Sequence, residues 1–576
     1  MQRIFPFLQW LPHYKKSWFG KDLGAGLTVG VLLVPQGMAY AMIAGLPPVY
    51  GLYASLVPLL VYALFGTSRQ LGVGPVAMDS LLVAAGLGAL ALTGVENYIA
   101  MALLLACMVG VVQLCLGLFR LGFLVRFLSR PVISGFTSAA AVIIIFSQLK
   151  HFFGVNIPQT NQFHKSVINV VTAIPETNVY ALLIGVLGIA MIVLLKLWND
   201  KIPAILAVVV AGILVVYIFR MDALGVPIVG EVPGGLPSFS LPEFSWPKAK
   251  TLLPIALTIA LIGYTEAIGI GKALEEKNEQ ETIEPNKELI ALGWANIFGS
   301  FFQSYLSSAS FSRSAINNAS GAKTPVASLM SMLLVALTLL FFTHLFFYLP
   351  KAALASIIMV SVIGLIDIDY PKILWKYRKD EFAVLIVTFF FTLSTGLTEG
   401  ILLGILISLL IMVYRTSKPH FVVLGKIQGS DYYRNIDRFG GDIELRPDLM
   451  IIRFDSQLYF GNKDYFKKQL FRFIEAKGSG LRGIILNAEP INYIDSTAVE
   501  MLANAIREIQ HRNIKFYIAA AIGPTRDVIF NSRIIDVLPG EHLFGRTKEA
   551  VDYFDNPDSL TKVGAQVAHE SRHNGF

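Results

Sequence analysis

From residue 22 to about residue 418 the chain alternates long apolar runs with short polar or charged joints, and beyond that the runs shorten. Apolar runs fall at Leu23–Ala44, Ile99–Leu118, Val132–Leu149, Val179–Leu197, Ile205–Tyr217 and Leu252–Gly271. They resume at Leu289–Phe302, Val326–Phe347, Ala352–Ile366, Phe382–Ser394 and Gly400–Tyr414. A bilayer core takes about 20 helical residues, so the pattern predicts about fourteen membrane segments, some too short to cross alone. One of them, LPPVYGLYASLVPLLVYALFG, opens through Pro47-Pro48.

Two segments break the pattern. Gly72-Val73-Gly74-Pro75 interrupts the chain before a weakly apolar run rich in Ala, Gly and Leu. Pro75 fits the first position of a helix and the glycines fit an extended lead-in; an ordinary turn would fit the spacing as well. The second break is longer: Gln303–Lys323 reads QSYLSSASFSRSAINNASGAK between apolar flanks. Small hydroxylated residues cannot face lipid, but they suit a broken helix that lines a cavity. A short helix starting near Ser310 would aim free backbone N–H groups and the Arg313 cation at one point, which makes an anion site. The plainer reading pairs Arg313 with a carboxylate or lets it reach the interface. The two breaks occupy corresponding places in the two halves of the segment count, which points to an inverted-repeat transporter with two half-helices and a central site.

Other polar residues stand out against this background. Pro35-Gln36-Gly37 lies inside the first run, with Tyr40 one turn on; Pro and Gly loosen the backbone there, and the Gln36 amide could donate to an anion. Glu266 is the single ionisable residue between Leu252 and Gly271. Intramembrane ionisable residues mark substrate or proton paths.

Composition agrees with a polytopic membrane protein: 54% of the 576 residues are hydrophobic and 15% charged, with a mean hydropathy of +0.60. The net charge of +7 gathers in short loops and does not indicate nucleic acid. Arg3, Lys15, Lys16 and Lys21 precede the first run; Arg120, Arg126 and Arg130, then Lys372, Lys376, Arg378 and Lys379, fall in later joints. A cytoplasmic N-terminus puts all three clusters inside. The leading residues 1–21 are aromatic and basic, as an interfacial segment is. Cys107 and Cys115 share one apolar run and indicate neither disulfide nor metal. No nucleotide loop, metal constellation or nucleophile–base pair suggests an enzyme.

Beyond Lys418-Pro419-His420, short strand-like runs (Met450–Phe454, Gly483–Asn487, Lys515–Ala520) alternate with helical stretches at Lys463–Glu475 and Thr497–Gln510, predicting a small α/β domain. The expected division is 1–21, an interfacial segment; 22–418, the membrane domain; 419–556, the cytoplasmic α/β domain; and 557–576, a mobile tail.

Several of these stretches resemble one family. VPQGMAYAMIAGLPPVYGLYASLVPLLVYALFGTSRQLGVGP is similar to a signature region of the sulfate permeases, which include the solute carrier 26 anion transporters. TEAIGIGKAL, NKELIALGWANIFGSFFQSY and SFSRSAINNASGAKT resemble its second signature region, and NYIDSTAVEML resembles the domain shared by sulfate transporters and anti-sigma-factor antagonists. The likeness runs from about Trp18 to Phe554. It implies a seven-plus-seven inverted repeat, a core domain that moves against a gate domain, and a homodimer in a plasma or inner membrane with both termini cytoplasmic. It also implies an anion, sulfate first, bound between the half-helix N-termini at Val76-Ala77 and Ser310–Arg313. Gln36 and Tyr40 would approach from the first helix, and Ser312 from the second half-helix. Glu266 would carry a coupling proton. No cofactor is implied beyond the coupling ion, proton or sodium. The alternatives are bicarbonate or dicarboxylate transport, sodium-coupled or exchanging, and an anion sensor that signals through the C-terminal domain.

Two positions depart from the family pattern. Asp79, the only charge between Arg69 and Glu96, falls where an apolar residue is expected. It could pair with Arg313, join Glu266 in a proton or cation site, or be solvated in a crevice. In the C-terminal domain Asp495-Ser496-Thr497-Ala498 replaces the family's Asp-Ser-Ser-Gly, so Ser496 and Thr497 are candidate regulatory hydroxyls beside a surface for a protein partner or a second subunit. Asp495, Ser496 and Thr497 would also serve simply to cap the next helix.

Overall fold

A computed structural model of the chain describes residues 6–88, 90, 92, 94–123, 129–157, 163–199, 202–275, 283–438 and 443–557. Arg126, residues 276–282 of the charged loop after Lys272, and the tail from 558 onward lie outside the described residues. Two compact units are present, Met1–Ser408 and Leu409–Phe576.

In the first unit, seven described helices are long and apolar enough to cross a membrane. They are Lys16–Ile43, Val95–Leu118, Arg130–Phe152, Val179–Trp198, Trp246–Glu275, Val326–Phe346 and Glu399–Ser417, the last running past the unit's end. Shorter helices stand among them, including Ala77–Gly88, Ala204–Phe219, Pro285–Phe301, Phe311–Ala319, Lys351–Ile363 and Lys379–Thr395. Large apolar side chains such as Leu183, Leu187 and Leu194 are exposed, as a lipid-facing surface requires.

Inside, small residues set the packing distance. A Cβ at Gly110 would stand 2.7 Å from the Gly293 carbonyl oxygen, and one at Gly293 would stand 2.8 Å from that of Gly110. The helices Val95–Leu118 and Pro285–Phe301 therefore touch backbone to backbone. Gly37 does the same work: its carbonyl occupies the place of a Cβ on Gly51. The helix Lys16–Ile43 runs unbroken through Pro35, so Gly37 is a packing residue there and not a hinge. The second segment is the one that breaks, into Val49–Tyr53 and Val57–Phe65. Pro58 has no N–H to continue the first piece, and the Ala54 carbonyl is taken by Ser307 Oγ at 2.9 Å.

Both expected interruptions are real. Gly72–Gly74 forms strand β1 and Ser308–Ser310 forms strand β2, paired antiparallel with Gly72 opposite Ser310 and Gly74 opposite Ser308. Each strand leads into a half-helix, Ala77–Gly88 and Phe311–Ala319. Pro75 does not open the first half-helix. Val76 precedes it, and its carbonyl accepts the first helical hydrogen bond from Ser80 N at 3.0 Å.

The second unit holds a seven-stranded sheet, made of β3 (Phe421–Ile427), β4 (Tyr433–Asn435), β5 (Ile443–Glu444), β6 (Leu449–Phe454), β7 (Gly483–Asn487), β8 (Lys515–Ala519) and β9 (Leu543–Phe544). Its order is β4-β3-β6-β7-β8-β9, with β5 also on β3. The parallel centre β6-β7-β8 is formed by the three runs visible in the sequence. The helices Lys463–Lys477 and Ser496–His511 pack their apolar faces on it through Phe466, Leu470, Leu502 and Ile506.

Backbone contact at Gly110 gives a test with an internal control. Gly110→Ala should lower stability by about 1–3 kcal/mol, because the methyl has no room. Gly20→Ala, where nothing lies within 4 Å of the added carbon, should leave stability unchanged or raise it by up to about 1 kcal/mol through lower unfolded-chain entropy. Thermal unfolding of the purified protein in detergent reads both, and equal shifts for the two variants would refute the packing argument.

Candidate functional site

Arg313 is the largest fully buried side chain of the described residues, at 1% exposure. It lies in the first turn of Phe311–Ala319, whose N-cap Ser310 accepts from Arg313 N at 3.5 Å. Its three side-chain nitrogens have no hydrogen-bond partner among the described residues. Glycine makes its place: a Cβ at Gly72 would stand 2.8 Å from Arg313 Cβ, and one at Gly74 would stand 3.4 Å from Nη2. Gly74 also takes φ +145°, which side chains rarely allow. The strand crossing thus lays the guanidinium against the lead-in of the opposite half-helix.

Hydrogen bonds lock this crossing. Gly72 N donates to Ser314 Oγ at 2.8 Å, Asn317 Nδ2 to the Gln70 carbonyl at 3.0 Å, and Gln70 Nε2 to the Ala322 carbonyl at 2.7 Å. Asn296 Oδ1 accepts from Ser307 N at 2.9 Å, while its Nδ2 donates to Gln113 Oε1 at 3.1 Å. Ser304 Oγ donates to the Tyr305 carbonyl at 2.7 Å. The run of serines before Arg313 serves mostly to satisfy backbone that no helix can satisfy.

Most of the residues expected at the site are buried on elements that pack together. Gln36 and Tyr40 lie one turn apart on Lys16–Ile43, which packs on both half-helices, and both are buried. Tyr40 is near enough to Arg313 for the two to act on each other electrostatically, and Gln36 Oε1 has no partner. Val76, Ala77 and Ser310 are buried at the two half-helix starts. Ser312 differs: it is exposed, its hydroxyl 3.3 Å from that of Ser310, and it stays outside the buried group.

Tyr305 is the residue that the sequence did not single out. It is 1% exposed, its hydroxyl is 3.0 Å from Ser80 Oγ, and it acts electrostatically on Arg313, Tyr40 and Asp79 at once. It stands among other polar residues in Gln303–Lys323, so only the strand crossing distinguishes it.

Asp79 is 1% exposed, which removes the reading of it as solvated, and neither of its carboxylate oxygens has a hydrogen-bond partner among the described residues. It is not paired with Arg313. It faces the helix Trp246–Glu275, where a Cβ at Gly263 would stand 3.6 Å from Asp79 Oδ2 and 3.0 Å from Ser308 Oγ. Glu266 lies three residues further along that helix, half-buried and in electrostatic reach of Asp79.

In the second unit Asp495 caps the helix Ser496–His511. Its Oδ1 accepts from Ala498 N at 2.8 Å and from Thr497 Oγ1 at 2.9 Å, and its Oδ2 accepts from Phe460 N at 2.8 Å. Burial pushes the Asp495 carboxyl up, but these hydrogen bonds outweigh it and hold the group below the usual carboxylate range. Ser496 is exposed and lines a groove of about 750 Å³ with Glu500, Asp527, Asn531 and Arg533.

Comparison with known proteins follows the same division. Residues 19–388 match the sulfate permease family and residues 442–550 match the STAS domain. The chain is similar to the chloroplastic sulfate transporter 4.1 of Arabidopsis thaliana, 39% identical over 95% of this chain and 82% of the relative. It is similar to a probable sulfate transporter of Mycobacterium tuberculosis (strain CDC 1551 / Oshkosh), 31% identical over 94% of this chain and 96% of the relative. Among solved structures, murine solute carrier 26 member A9, described as an anion transporter in the inward-facing state, superposes with a TM-score of 0.89 at 28% identity, covering 96% of this chain and 94% of that one.

The cap generates a prediction with a sign. Because its carboxyl is held low, Asp495 stabilises the fold above the ordinary carboxylate range, and that contribution is lost as pH falls through its lowered value. Asp495→Ala should cost about 1 kcal/mol at neutral pH. Faster hydrogen exchange at the first turn of Ser496–His511 would report the loss. Asp495→Asn should keep most of the cap and lose its acid dependence.

Proposed function

The chain belongs to the sulfate permease family, and on that premise we propose that it is an integral membrane transporter that carries an inorganic oxyanion, sulfate first, in symport with protons. The observation that carries the reading is Arg313, a buried cation whose donors are unpartnered and which lies at the N-terminus of a half-helix. A tetrahedral divalent anion matches that donor set: the guanidinium fork, backbone N–H groups at the two half-helix starts and the Tyr40 hydroxyl. The Gln36 amide can turn to present its NH₂. The names of the relatives favour sulfate among the oxyanions.

In this reading a core domain that holds the half-helices and the strand pair moves against a gate domain and exposes the anion to either side in turn. The paired breaks fit an inverted repeat, and the basic joints favour a cytoplasmic N-terminus, with the C-terminus on the same side in this reading. The division is a membrane domain to about residue 418 and an α/β domain from 419 to 556, with a homodimer as the assembly. The α/β domain is a surface for a cytoplasmic protein partner or the second subunit, with Ser496 exposed beside its groove and Thr497 held by Asp495.

Glu266 carries the coupling proton. Arg313 opposes nearby positive charge, and an arriving anion offsets it, so anion binding favours protonation of Glu266. By linkage, protonation favours the anion to the same degree.

Two variants test the reading in proteoliposomes supplied with radiolabelled sulfate or bicarbonate under separate proton and sodium gradients. Arg313→Ala removes a charge-assisted contact of about 1.5–3 kcal/mol, so apparent affinity should fall about ten- to hundred-fold. Unchanged affinity for every anion would take Arg313 out of the site. Glu266→Gln should still bind sulfate but accumulate it less than wild type under an inward proton gradient. Accumulation equal to wild type would assign coupling elsewhere, and sodium-driven bicarbonate uptake would replace the substrate assignment.

A further inference from the structure

Asp79 is unused by the anion site, and its setting is unusual. A carboxylate sits in the first turn of the half-helix Ala77–Gly88, 1% exposed, with neither oxygen hydrogen-bonded among the described residues. An ionised carboxylate this buried and this poorly compensated is costly to hold, so Asp79 is poised to take up a proton when further negative charge arrives. The nearby cation does not relieve the cost, because the Arg313 guanidinium lies against Gly74 and its nitrogens are also unpartnered.

The groups around Asp79 come from every packed element. The helix Trp246–Glu275 brings Gly263 against Oδ2 and, one turn on, Glu266, and strand β2 brings the Ser308 hydroxyl to the same place, a donor in reach of the carboxylate. The residue after Asp79, Ser80, donates to the Val76 carbonyl at 2.7 Å and stands 3.0 Å from the Tyr305 hydroxyl. Tyr305 reaches both Asp79 and Arg313 electrostatically. Lys16–Ile43 packs on the half-helix with its charged residues, Lys16, Lys21 and Asp22, at its start, and its Tyr40 in electrostatic reach of Arg313 and Tyr305. The helix Val95–Leu118 brings the uncharged Gln113 amide, with its acid Glu96 in the first turn and Cys107 half-buried further on. Along Arg130–Phe152, the charged residues stand only at the ends, Arg130 at one and Lys150 and His151 at the other. The surroundings thus hold one fixed positive charge, Arg313, and one further carboxylate, Glu266.

We propose that Asp79 is a second proton carrier, so that two protons, one on Asp79 and one on Glu266, accompany each divalent anion. The inference rests on the proton-coupled reading and sets its stoichiometry. Charge supports it. With both carboxylates ionised, the group of Arg313, Asp79 and Glu266 carries one net negative charge, and a divalent anion would add two more. Two protons taken from the side of entry, each converting a carboxylate to its acid, return the loaded group to the charge of the unloaded one. Both protons leave with the anion on the other side, the acids becoming carboxylates again, and no net charge crosses the membrane. Glu266 is half-buried and Asp79 buried, and the two lie against one helix within electrostatic reach of each other.

The test is proton counting on the full chain in proteoliposomes, with sulfate accumulation measured against pH difference and against a potential clamped by potassium and valinomycin. Each pH unit per proton is a factor of ten. Wild-type protein should accumulate sulfate about hundredfold per pH unit and ignore the potential. Asp79→Asn should fall to about tenfold per pH unit and gain a dependence of tenfold per about 59 mV, inside positive, for the one net charge it then moves. A wild-type slope of one proton with potential dependence overturns the proposal while leaving proton coupling intact, whereas no dependence on pH removes the coupled reading itself. A two-proton slope retained by Asp79→Asn places the second proton elsewhere and also overturns it. Should Asp79→Asn bind but not transport, calorimetry of sulfate binding in buffers of different ionisation enthalpy counts the protons directly. Two are expected for wild type and for Asp79→Glu, one for Asp79→Asn, and equal counts for wild type and Asp79→Asn refute the assignment. Asp79→Glu also serves if Asp79→Asn does not fold: a wild-type count of two supports the proposal only if that variant keeps it.

Discussion

Broken helices inside apolar surroundings leave backbone N–H and C=O groups that lipid cannot satisfy, and this constraint organises the first unit. The antiparallel pair Gly72–Gly74 with Ser308–Ser310 answers it at the point of crossing. Every neighbouring feature serves that pairing. Gly72 and Gly74 let Arg313 approach, Ser314 and Asn317 hold the lead-in of the opposite half-helix, and Asn296 holds Ser307. Because the two half-helices are bonded to each other through their lead-ins, the N-terminal turns meet at one place and keep their relative position.

The same arrangement keeps opposite charges apart. Arg313 and Asp79 lie in the first turns of the two half-helices, yet neither satisfies the other. A pair of buried opposite charges within hydrogen-bonding distance would neutralise both and leave nothing for a ligand or a proton. Here the guanidinium lies on the strand crossing, while the carboxylate turns to Gly263 on the Glu266 helix. Tyr305, its hydroxyl 3.0 Å from Ser80 Oγ, is in electrostatic reach of both. That separation gives the proposed transport cycle two distinct places, one for the anion and one for protons, with Tyr305 in electrostatic reach of Arg313 and Asp79.

Hydrophobic pattern alone disclosed the polytopic class, both interruptions and the α/β change of character after residue 418, because burial in lipid or in a sheet imposes a periodicity that composition must obey. Arg313 and Glu266 were legible for the same reason: an ionisable group in an apolar run has no cheap structural explanation. The start of a short helix near Ser310 was legible, and so was a cap for Ser496–His511 among Asp495, Ser496 and Thr497. Strands β3, β4, β5 and β9 were not seen, since their short or half-exposed runs resemble loops until a neighbouring strand pairs with them.

What only the tertiary structure decided is who faces whom. The sequence by itself shows Asp79 as a misplaced charge and leaves it to pair with Arg313, join Glu266 or be solvated; its burial, its lack of partners and its place against Gly263 choose among these. It shows Pro35 and Gly37 as loosening the backbone, where the packed structure makes Gly37 the contact for Gly51 in an unbroken helix. It gives no reason to separate Tyr305 from the serines around it or to set Ser312 apart from Ser310. Each of these outcomes depends on a contact between segments distant in the chain, and a contact of that kind leaves no local periodicity to read.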